Sequence, residues 1–279
     1  MAKEFNVTGT CIPARHYMAD ISEKLRQVMV MVEQGRYFTI NRPRQYGKTT
    51  MLASVAKALN TTETYLAADI SFEGLGSDTF SSEAAFCTAF LDLVRNQMLE
   101  QEQDELAAFL DEALRETHSL KQLSSSITAL VGKTVRRFVL LIDEVDKSSN
   151  NQLFIDFLGV LRNKFLKRDA KTDLTFHSIV LAGVHDVRTL KLKLRPDEET
   201  KINSPWNIAS DFKVEMSLQP REIVPMLEDY AHQEQGVSLD ALALAERLYY
   251  YTSGYPFLVS ALCKIIAEDI VPARPLPAA

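Results

Sequence analysis

Hydrophobic residues follow two different spacings along the chain. Mainly apolar runs at residues 37–40, 65–72, 137–142 and 178–184 are rich in branched and aromatic side chains, a pattern typical of strands buried on both faces of a parallel sheet. Between these runs, apolar residues recur three and four positions apart, as they do on one face of a helix. Strands that alternate with helices predict an α/β fold with a doubly wound parallel sheet.

The same spacings locate the individual helices and one further strand. Helices are predicted over about residues 20–34, 48–59, 82–94, 106–114, 119–134 and 154–165. The segment Phe212–Met216 alternates apolar and polar side chains, which predicts a fifth and more exposed strand. From Pro220 onwards three helices follow one another without a strand, so a small helical domain is expected after the α/β domain.

These patterns divide the chain into four parts. We expect an N-terminal segment and helix at 1–35 that packs on the core, an α/β core at 36–217, a helical domain at 218–270 and a disordered Pro/Ala-rich tail at 271–279.

Composition narrows the class of protein. The 279 residues carry a net charge of −6, which argues against a protein built mainly to coat nucleic acid. Cys11, Cys87 and Cys263 are far apart and lack metal-binding spacing, so we interpret them as core residues of a reduced, cytoplasmic protein. No apolar run approaches the roughly 20 residues that span a bilayer, and no membrane partner is expected.

The segment Tyr37–Thr50 contains the first candidate site. It places a short apolar strand, a turn and then Gly47-Lys48-Thr49 at the start of a helix. In a phosphate-binding loop, backbone N–H groups and a helix N-terminus face an anion, a lysine contacts the outer phosphates, and a Ser or Thr hydroxyl binds Mg²⁺. The match is partial because Arg42 occupies the usual first glycine position, and the triplet alone could be a plain helix start.

A second candidate site lies at the end of the apolar run 137–142, where Asp143 and Glu144 follow. The carboxyl ends of parallel strands are where α/β sheets bind ligands. Thr49 and Asp143 are therefore candidate Mg²⁺ ligands, and Glu144 could orient a water for attack on a phosphate. Glu144 could instead be only a surface acid. Asp146 is better explained as a helix-capping or solvated acid than as a metal ligand.

The segment after the strand at 178–184 carries candidate sensor and finger residues. His185 and Asp186 follow that strand directly, where a side chain that senses the γ-phosphate could lie. The basic run that includes Arg188 and Arg195 could neutralise phosphate charge, or it could be a solvated face. The only tryptophan, Trp206, is more consistent with loop anchoring than with stacking on nucleic acid.

Together these residues resemble one protein family. Tyr37–Thr49 is similar to the Arg-Pro-Arg-x-[Phe/Tyr]-Gly-Lys-[Ser/Thr] loop of the prokaryotic AAA-ATPase-like proteins, in which Arg replaces the first Gly. The likeness extends to residues 141–147, which resemble a Walker B strand, and to residues 181–184, 204–209 and 252–257. Residues 252–257 resemble the Gly-x-Pro element in the helical lid of STAND and archaeal-type ATPases.

The resemblance implies a specific fold and site. It implies a P-loop NTPase of the ASCE division with a five-stranded sheet in the order 5-1-4-3-2, followed by a helical lid. It implies that ATP and Mg²⁺ are bound. The implied nucleotide-binding residues are Arg42, Pro43, Arg44, Gln45, Tyr46, Gly47, Lys48, Thr49 and Thr50. Lys48 and Glu144 are the implied catalytic residues. In the lid, Gly254 and Pro256 could couple the ATP state to lid position, or they could simply break and start helices.

Relatives in this family often continue into a nuclease domain, whereas this sequence ends after the lid. We therefore expect an effector or protein partner supplied by another chain, with nucleic acid involved only indirectly through such a nuclease. An oligomer is possible. Our first hypothesis is a Mg²⁺-dependent ATPase that acts as a conformational switch. The alternatives are a nucleotide-dependent binding module with negligible turnover and a P-loop phosphotransferase.

Overall fold

The computed structural model describes residues 3–148, 151–184, 206–233 and 239–272. The chain divides into two compact units, each discontinuous in sequence. The first unit comprises Met1–Val28, Pro43–Met51 and Val214–Ala279, and the second comprises Met29–Arg42 and Leu52–Lys213. The predicted boundaries of a core at 36–217 and a helical domain at 218–270 stay a prediction.

Strands and helices alternate in the described residues, as the hydrophobic spacing predicts. The strands are β1 (Tyr37–Asn41), β2 (Tyr65–Ser71), β3 (Arg137–Asp143) and β4 (Ser178–Gly183). The α-helices are α1 (Ser22–Glu33), α2 (Lys48–Asn60), α3 (Glu83–Glu100), α4 (Asp104–Glu116), α5 (Leu120–Gly132), α6 (Gln152–Asp169), α7 (Pro220–Gln233), α8 (Ala241–Thr252) and α9 (Pro256–Ile265). The Ser82 side chain caps α3, since it accepts a hydrogen bond from the Ala85 N–H.

The second unit contains a parallel sheet in the order β1-β4-β3-β2. β4 therefore lies between β1 and β3, as the resemblance implied. In the register of the sheet, Asn41 pairs with Gly183 and Ser71 pairs with Asp143. The carboxyl ends of β1, β2, β3 and β4 consequently meet at one edge, which is the edge where parallel sheets bind ligands.

Both faces of the sheet are buried, which explains why its strands are mainly apolar. Leu140 and Ile142 on one face and Val139 and Leu141 on the other are all fully buried. Because a strand with two buried faces gains hydrophobic stabilisation from every position, the sequence pattern identifies such strands well.

The predicted fifth strand at Phe212–Met216 is wrong. In the described residues after Lys201, the chain forms only one isolated bridge with the sheet, in which the Ser210 N–H donates to the Tyr37 carbonyl oxygen at 2.8 Å. Val214 and Met216 are nevertheless buried. The alternation of buried positions is therefore real, but it comes from side-chain burial of an irregular segment and not from a hydrogen-bonded ladder.

The aromatic core of the second unit explains the position of Trp206. Its indole is fully buried and stacks on Tyr37, with ring centroids 5.8 Å apart and planes inclined by 21°. A fully buried indole cannot stack on a nucleobase, so the interpretation of Trp206 as a loop anchor is confirmed.

Cys87 and Cys263 are also buried, as expected. Burial raises the pKa of the Cys87 thiol to about 11 and that of the Cys263 thiol to about 12.

The first unit is built from α7, α8 and α9 together with the N-terminal segment. Phe5, Tyr17 and Tyr230 form an aromatic cluster with centroid separations of 4.7 to 5.6 Å. The buried Lys24 ammonium lies 2.6 Å from both carboxylate oxygens of Glu222 on α7. In the part of the chain that the structure describes, no helix is both long enough and apolar enough to cross a membrane.

Candidate phosphate-binding site

The β1–α2 loop (residues 43–47) connects the first strand to the helix that begins at Lys48. Gln45 and Gly47 have φ angles of 60° and 77°, in the left-handed region. Backbone that alternates between right- and left-handed conformations can turn successive N–H groups towards one point, which creates an anion-binding concavity. Since the positive end of a helix dipole lies at the helix N-terminus, the α2 dipole favours a negative charge at the same place.

Lys48 lies at this helix start and is only 5% exposed. Its ammonium donates a hydrogen bond to the carbonyl oxygen of Pro43 at 2.9 Å. The charge is therefore held inside the loop instead of extending into solvent. Thr49, next along α2, is exposed. Thr50 is partly buried, and its hydroxyl oxygen accepts a hydrogen bond from the Cys11 N–H at 3.1 Å, which fixes the N-terminal segment to the start of α2.

An apolar cavity of about 80 Å³ lies in the same unit. Three sequence segments contribute to it: residues 11–24, residues 46–51 and residues 216–260. Its lining residues are Cys11, Tyr17, Met18, Ala19, Ile21, Lys24, Tyr46, Gly47, Thr50, Met51, Met216, Leu218, Met226, Pro256 and Ser260. Since Tyr46 and Gly47 belong to the β1–α2 loop, the cavity adjoins the candidate phosphate site. Thioether side chains adapt their shape and polarise easily, which suits a flat apolar or aromatic ligand.

The turn Thr252–Pro256 between α8 and α9, here called the lid turn after the predicted helical lid, contains left-handed backbone. Ser253 and Gly254 have φ angles of 50° and 72°. The Gly254 carbonyl oxygen accepts a hydrogen bond from the Leu218 N–H at 2.8 Å. Pro256, at the first position of α9, lines the cavity.

We predict that Gly254→Ala strongly destabilises the protein. A Cβ at this position would lie 2.1 Å from the Leu218 carbonyl oxygen, and the φ of 72° is unfavourable for any residue with a Cβ. The added Cβ would clash with backbone atoms, so the chain itself must move to remove the clash. We therefore expect a loss of about 3 kcal/mol or more in the free energy of unfolding. Denaturant titration monitored by circular dichroism measures this loss.

The matched control is Gly159→Ala in α6. No atom outside its own helix lies within 4 Å of a Cβ at Gly159, and alanine forms helix better than glycine by about 1 kcal/mol. This variant should be as stable as the wild type or more stable. A Gly254→Ala protein that unfolds at the wild-type denaturant concentration would contradict the tight fit of the lid turn.

In the second unit, the acidic pair lies at the carboxyl end of β3. Asp143 is 4% exposed, and its carboxylate accepts a hydrogen bond from the Glu144 N–H at 2.8 Å. Glu144 is partly exposed and has a φ of 55°. A glutamate in the left-handed region is strained, and such residues concentrate at functional sites. The left-handed backbone of Glu144 follows the end of β3, and the chain continues into the short 3-10 helix Val145–Ser148.

Asp146 has a structural partner at the end of β4. Its carboxylate accepts a hydrogen bond from the Val184 N–H. A Cβ at Gly183 would lie 2.9 Å from one of the Asp146 carboxylate oxygens, so glycine permits the close approach. Asp146 thus binds the backbone at a strand end, whereas the sequence indicated a helix-capping or solvated acid.

Sequence reasoning missed Asp69, in the middle of β2. Asp69 pairs with Leu141 in the sheet register, two residues before the pair of Ser71 and Asp143. Burial, followed by the negative charge of Asp143, raises the pKa of the Asp69 carboxyl to about 7. An acid inside an apolar strand was the available signal. Sequence patterns did not indicate the cavity, because its lining comes from distant segments.

The remaining candidates divide into two groups. The Arg42 guanidinium lies 5.6 Å from the centre of the Phe212 ring and donates a hydrogen bond to the Asn41 carbonyl oxygen at 2.8 Å. Pro43 and Arg44 are exposed. The predicted sensor and finger residues His185, Asp186, Arg188 and Arg195 lie outside the described residues.

The sequence of residues 13–274 matches the protein family described as AAA-like domain. The chain belongs to this family. The match covers nearly the whole sequence, including the β1–α2 loop, the acidic end of β3 and the lid turn. The family resemblance that the sequence motifs indicated is therefore confirmed.

Two solved structures share the fold of this AAA-like domain. A Walker-type ATPase of Pyrococcus abyssi is 12% identical and superposes with a TM-score of 0.55, over 95% of this chain and 71% of that protein. The Aeropyrum pernix Orc1 protein, solved in complex with DNA, is 13% identical with a TM-score of 0.52, over 94% of this chain and 63% of that protein. At such identities the likeness shows the fold alone. No significant match is found among curated protein sequences.

Proposed function

We propose that this AAA-like domain binds ATP and hydrolyses it in a Mg²⁺-dependent reaction. The observation that carries the proposal is the buried Lys48 at the start of α2, enclosed by a loop whose backbone reverses at Gln45 and Gly47. A buried ammonium beside a helix N-terminus favours a multiply charged anion. On ATP binding, Lys48 would exchange the Pro43 carbonyl for phosphate oxygens.

We assign the adenine base to the apolar cavity beside the loop. The cavity adjoins the loop through Tyr46 and Gly47, so one ligand with an anionic end and a flat apolar end would contact both. In the cavity wall, the N–H groups of Met18 and Ala19 have no hydrogen bond to any described residue. They could therefore bind the edge of a base, as polar groups in mainly apolar pockets fix ligand orientation.

The chain offers oxygen donors that fit Mg²⁺. Mg²⁺ prefers carboxylate and hydroxyl oxygens and shares its coordination with substrate phosphates. We propose the Thr49 hydroxyl and the Asp143 carboxylate as donors, on their chemistry and on their positions after β1 and at the end of β3. When bound, the metal would neutralise charge on the phosphates.

Glu144 is our candidate for the residue that orients the attacking water. Its carboxylate lies one residue beyond Asp143, at the strand end, and it is partly exposed to solvent. A carboxylate that accepts a hydrogen bond from water increases the nucleophilicity of that water and holds it in line with the bond to be broken. We further propose that hydrolysis resets a conformational switch that regulates a protein partner.

The base assignment predicts a selective effect of Ser260→Phe. Ser260 lines the cavity, and a phenyl group there should occupy the space of the base. We expect ATP affinity to fall by about 10- to 100-fold, because burial of a flat aromatic group stabilises a complex by about 1.5–3 kcal/mol. The affinity for inorganic triphosphate should remain unchanged, and displacement of a fluorescent nucleotide analogue measures both.

The control for this prediction is Ser125→Phe, the same substitution at an exposed serine on α5. It should leave both affinities unchanged. Equal losses for ATP and triphosphate in Ser260→Phe would contradict the assignment of the base to this cavity.

The proposed function as a whole is tested by ATP titration and by phosphate release. ATP should bind in the presence of Mg²⁺, and phosphate should appear with multiple turnovers. Binding without phosphate release, with and without candidate partners, would replace the ATPase by the nucleotide-dependent binding module. A failure to bind ATP would overturn both.

A further inference from the structure

The side chain of Tyr255, in the lid turn, contacts the β1–α2 loop. Its ring stacks on the ring of Tyr46, with centroids 4.8 Å apart and planes inclined by 24°. Its hydroxyl donates a hydrogen bond to the Arg44 carbonyl oxygen at 2.8 Å. All three residues lie in the first unit, and two different parts of the tyrosine are engaged.

These two contacts are made by the residues directly before and after Gln45. Arg44 precedes Gln45 and Tyr46 follows it, so Tyr255 holds the peptide before Gln45 and the side chain after it. Gln45 has a φ of 60°, which residues with a Cβ disfavour. Its own side chain is exposed. The contacts of Tyr255 are thus made at the two positions that can stabilise the reversed backbone.

Tyr255 is itself held by a rigid segment. The preceding Gly254 is fixed through its hydrogen bond with Leu218, and Gly254 N–H donates to the Thr252 hydroxyl oxygen at 3.1 Å. The following Pro256 begins α9 with a restricted φ. A side chain on so constrained a turn can impose a conformation on the loop that it contacts.

We propose that Tyr255 is a positioning residue for phosphate binding. It keeps the β1–α2 loop in the anion-binding conformation by stabilising the left-handed backbone of Gln45. Because a preorganised loop loses less conformational entropy on binding, phosphate affinity depends on this contact. The inference rests on the proposed function and adds a residue from outside the sequence motif of the loop.

The competing explanation is that Tyr255 only packs the lid turn. Pro256, its neighbour, lines the base cavity, so a disordered lid turn would weaken binding of the base as well. A positioning role instead predicts a loss confined to the phosphate part of the ligand. The two explanations therefore differ in which fragment of ATP is affected.

The experiment measures displacement of a fluorescent ATP analogue by ATP, by inorganic triphosphate and by adenosine, with Mg²⁺ present. Tyr255→Phe keeps the ring and removes the hydrogen bond, so triphosphate affinity should fall by about 3- to 10-fold. Tyr255→Leu removes both contacts and should reduce triphosphate affinity by about 10- to 100-fold. Adenosine affinity should stay at the wild-type value in Tyr255→Phe, because this variant keeps the ring that stacks on Tyr46 in the cavity wall. Tyr250→Leu, at an exposed position of α8, is the matched control and should change nothing.

A second substitution tests the mechanism directly. Gln45→Gly makes the left-handed backbone acceptable without support. In the Gln45→Gly background, the loss of triphosphate affinity caused by Tyr255→Leu should therefore shrink by about threefold or more. Should Tyr255→Leu fail to fold, as judged by its thermal midpoint, the same cycle is carried out with Tyr255→Phe.

The outcomes separate the inference from the function on which it rests. Equal losses for adenosine and triphosphate, or a loss that Gln45→Gly leaves unchanged, would overturn the positioning role of Tyr255. Wild-type binding of ATP together with unaltered triphosphate affinity in Tyr255→Leu would do the same while leaving the ATP site intact. Only a wild-type protein that does not bind ATP would overturn the proposed function itself.

Discussion

Replacing Lys48 with alanine is expected to weaken ATP binding by about 100-fold or more. The ammonium is buried at the start of α2 and already holds a loop carbonyl. Loss of one charged partner from a desolvated interaction costs about 2–5 kcal/mol, and each 1.4 kcal/mol is a tenfold change in affinity. Isothermal titration with ATP and Mg²⁺ measures the effect.

Lys57→Ala provides the matched control for this prediction. Lys57 lies on the same helix, in its last turn, and is exposed. Its removal changes the net charge by the same amount but leaves the β1–α2 loop untouched. If Lys48→Ala and Lys57→Ala bound ATP equally well, the anion would not be held at the helix start, and the proposed site would be wrong.

Glu144→Gln should bind ATP normally but hydrolyse it about 100- to 10,000-fold more slowly, the range expected when a general base is removed. Glutamine has nearly the same shape as glutamate and should keep the reversed backbone at this position. It cannot accept a proton from the attacking water at neutral pH. Phosphate release under saturating ATP measures the rate, and nucleotide titration measures the binding.

Glu63→Gln, the same substitution at an exposed position before β2, is the control. It should hydrolyse ATP at the wild-type rate. Unimpaired turnover in Glu144→Gln would exclude Glu144 from the reaction. The next candidate would be Asp69, which lies in β2 two residues before the sheet edge.

The two substitutions also distinguish binding from chemistry. Lys48→Ala acts on affinity, whereas Glu144→Gln acts on the rate after binding. A regulator that uses ATP as a switch should retain partner binding in Glu144→Gln with ATP and lose it in Lys48→Ala. This contrast is the most direct way to search for the protein partner that the proposed switch requires.

Local sequence patterns were enough to predict the strands and helices that carry the residues of the site. The runs that became β1, β3 and β4 are buried on both faces, so nearly every residue in them is apolar and the pattern is unambiguous. The turn before α2 and the acidic pair after β3 were equally visible, because each consists of adjacent residues. Family membership follows from the same motifs and is confirmed over residues 13–274.

The predicted strand at Phe212–Met216 failed for a physical reason. An alternating pattern indicates which side chains are buried. It does not indicate whether the backbone is hydrogen-bonded to a neighbouring strand. Val214 and Met216 are covered, yet only Ser210 among the described residues near them bridges to β1. A sequence pattern cannot separate these two situations when the segment is short.

The sequence by itself therefore determined the α/β class, the family and the positions of Lys48, Asp143 and Glu144. Only the tertiary structure decided that the Lys48 ammonium donates a hydrogen bond to the loop carbonyl oxygen of Pro43. The same holds for the contact between this loop and Tyr255, which lies some 200 residues later in the chain. It also decided that residues between Cys11 and Ser260 surround one cavity. The reason is that hydrophobic periodicity and turn chemistry act over a few neighbouring residues, whereas contacts between distant segments depend on how whole elements pack.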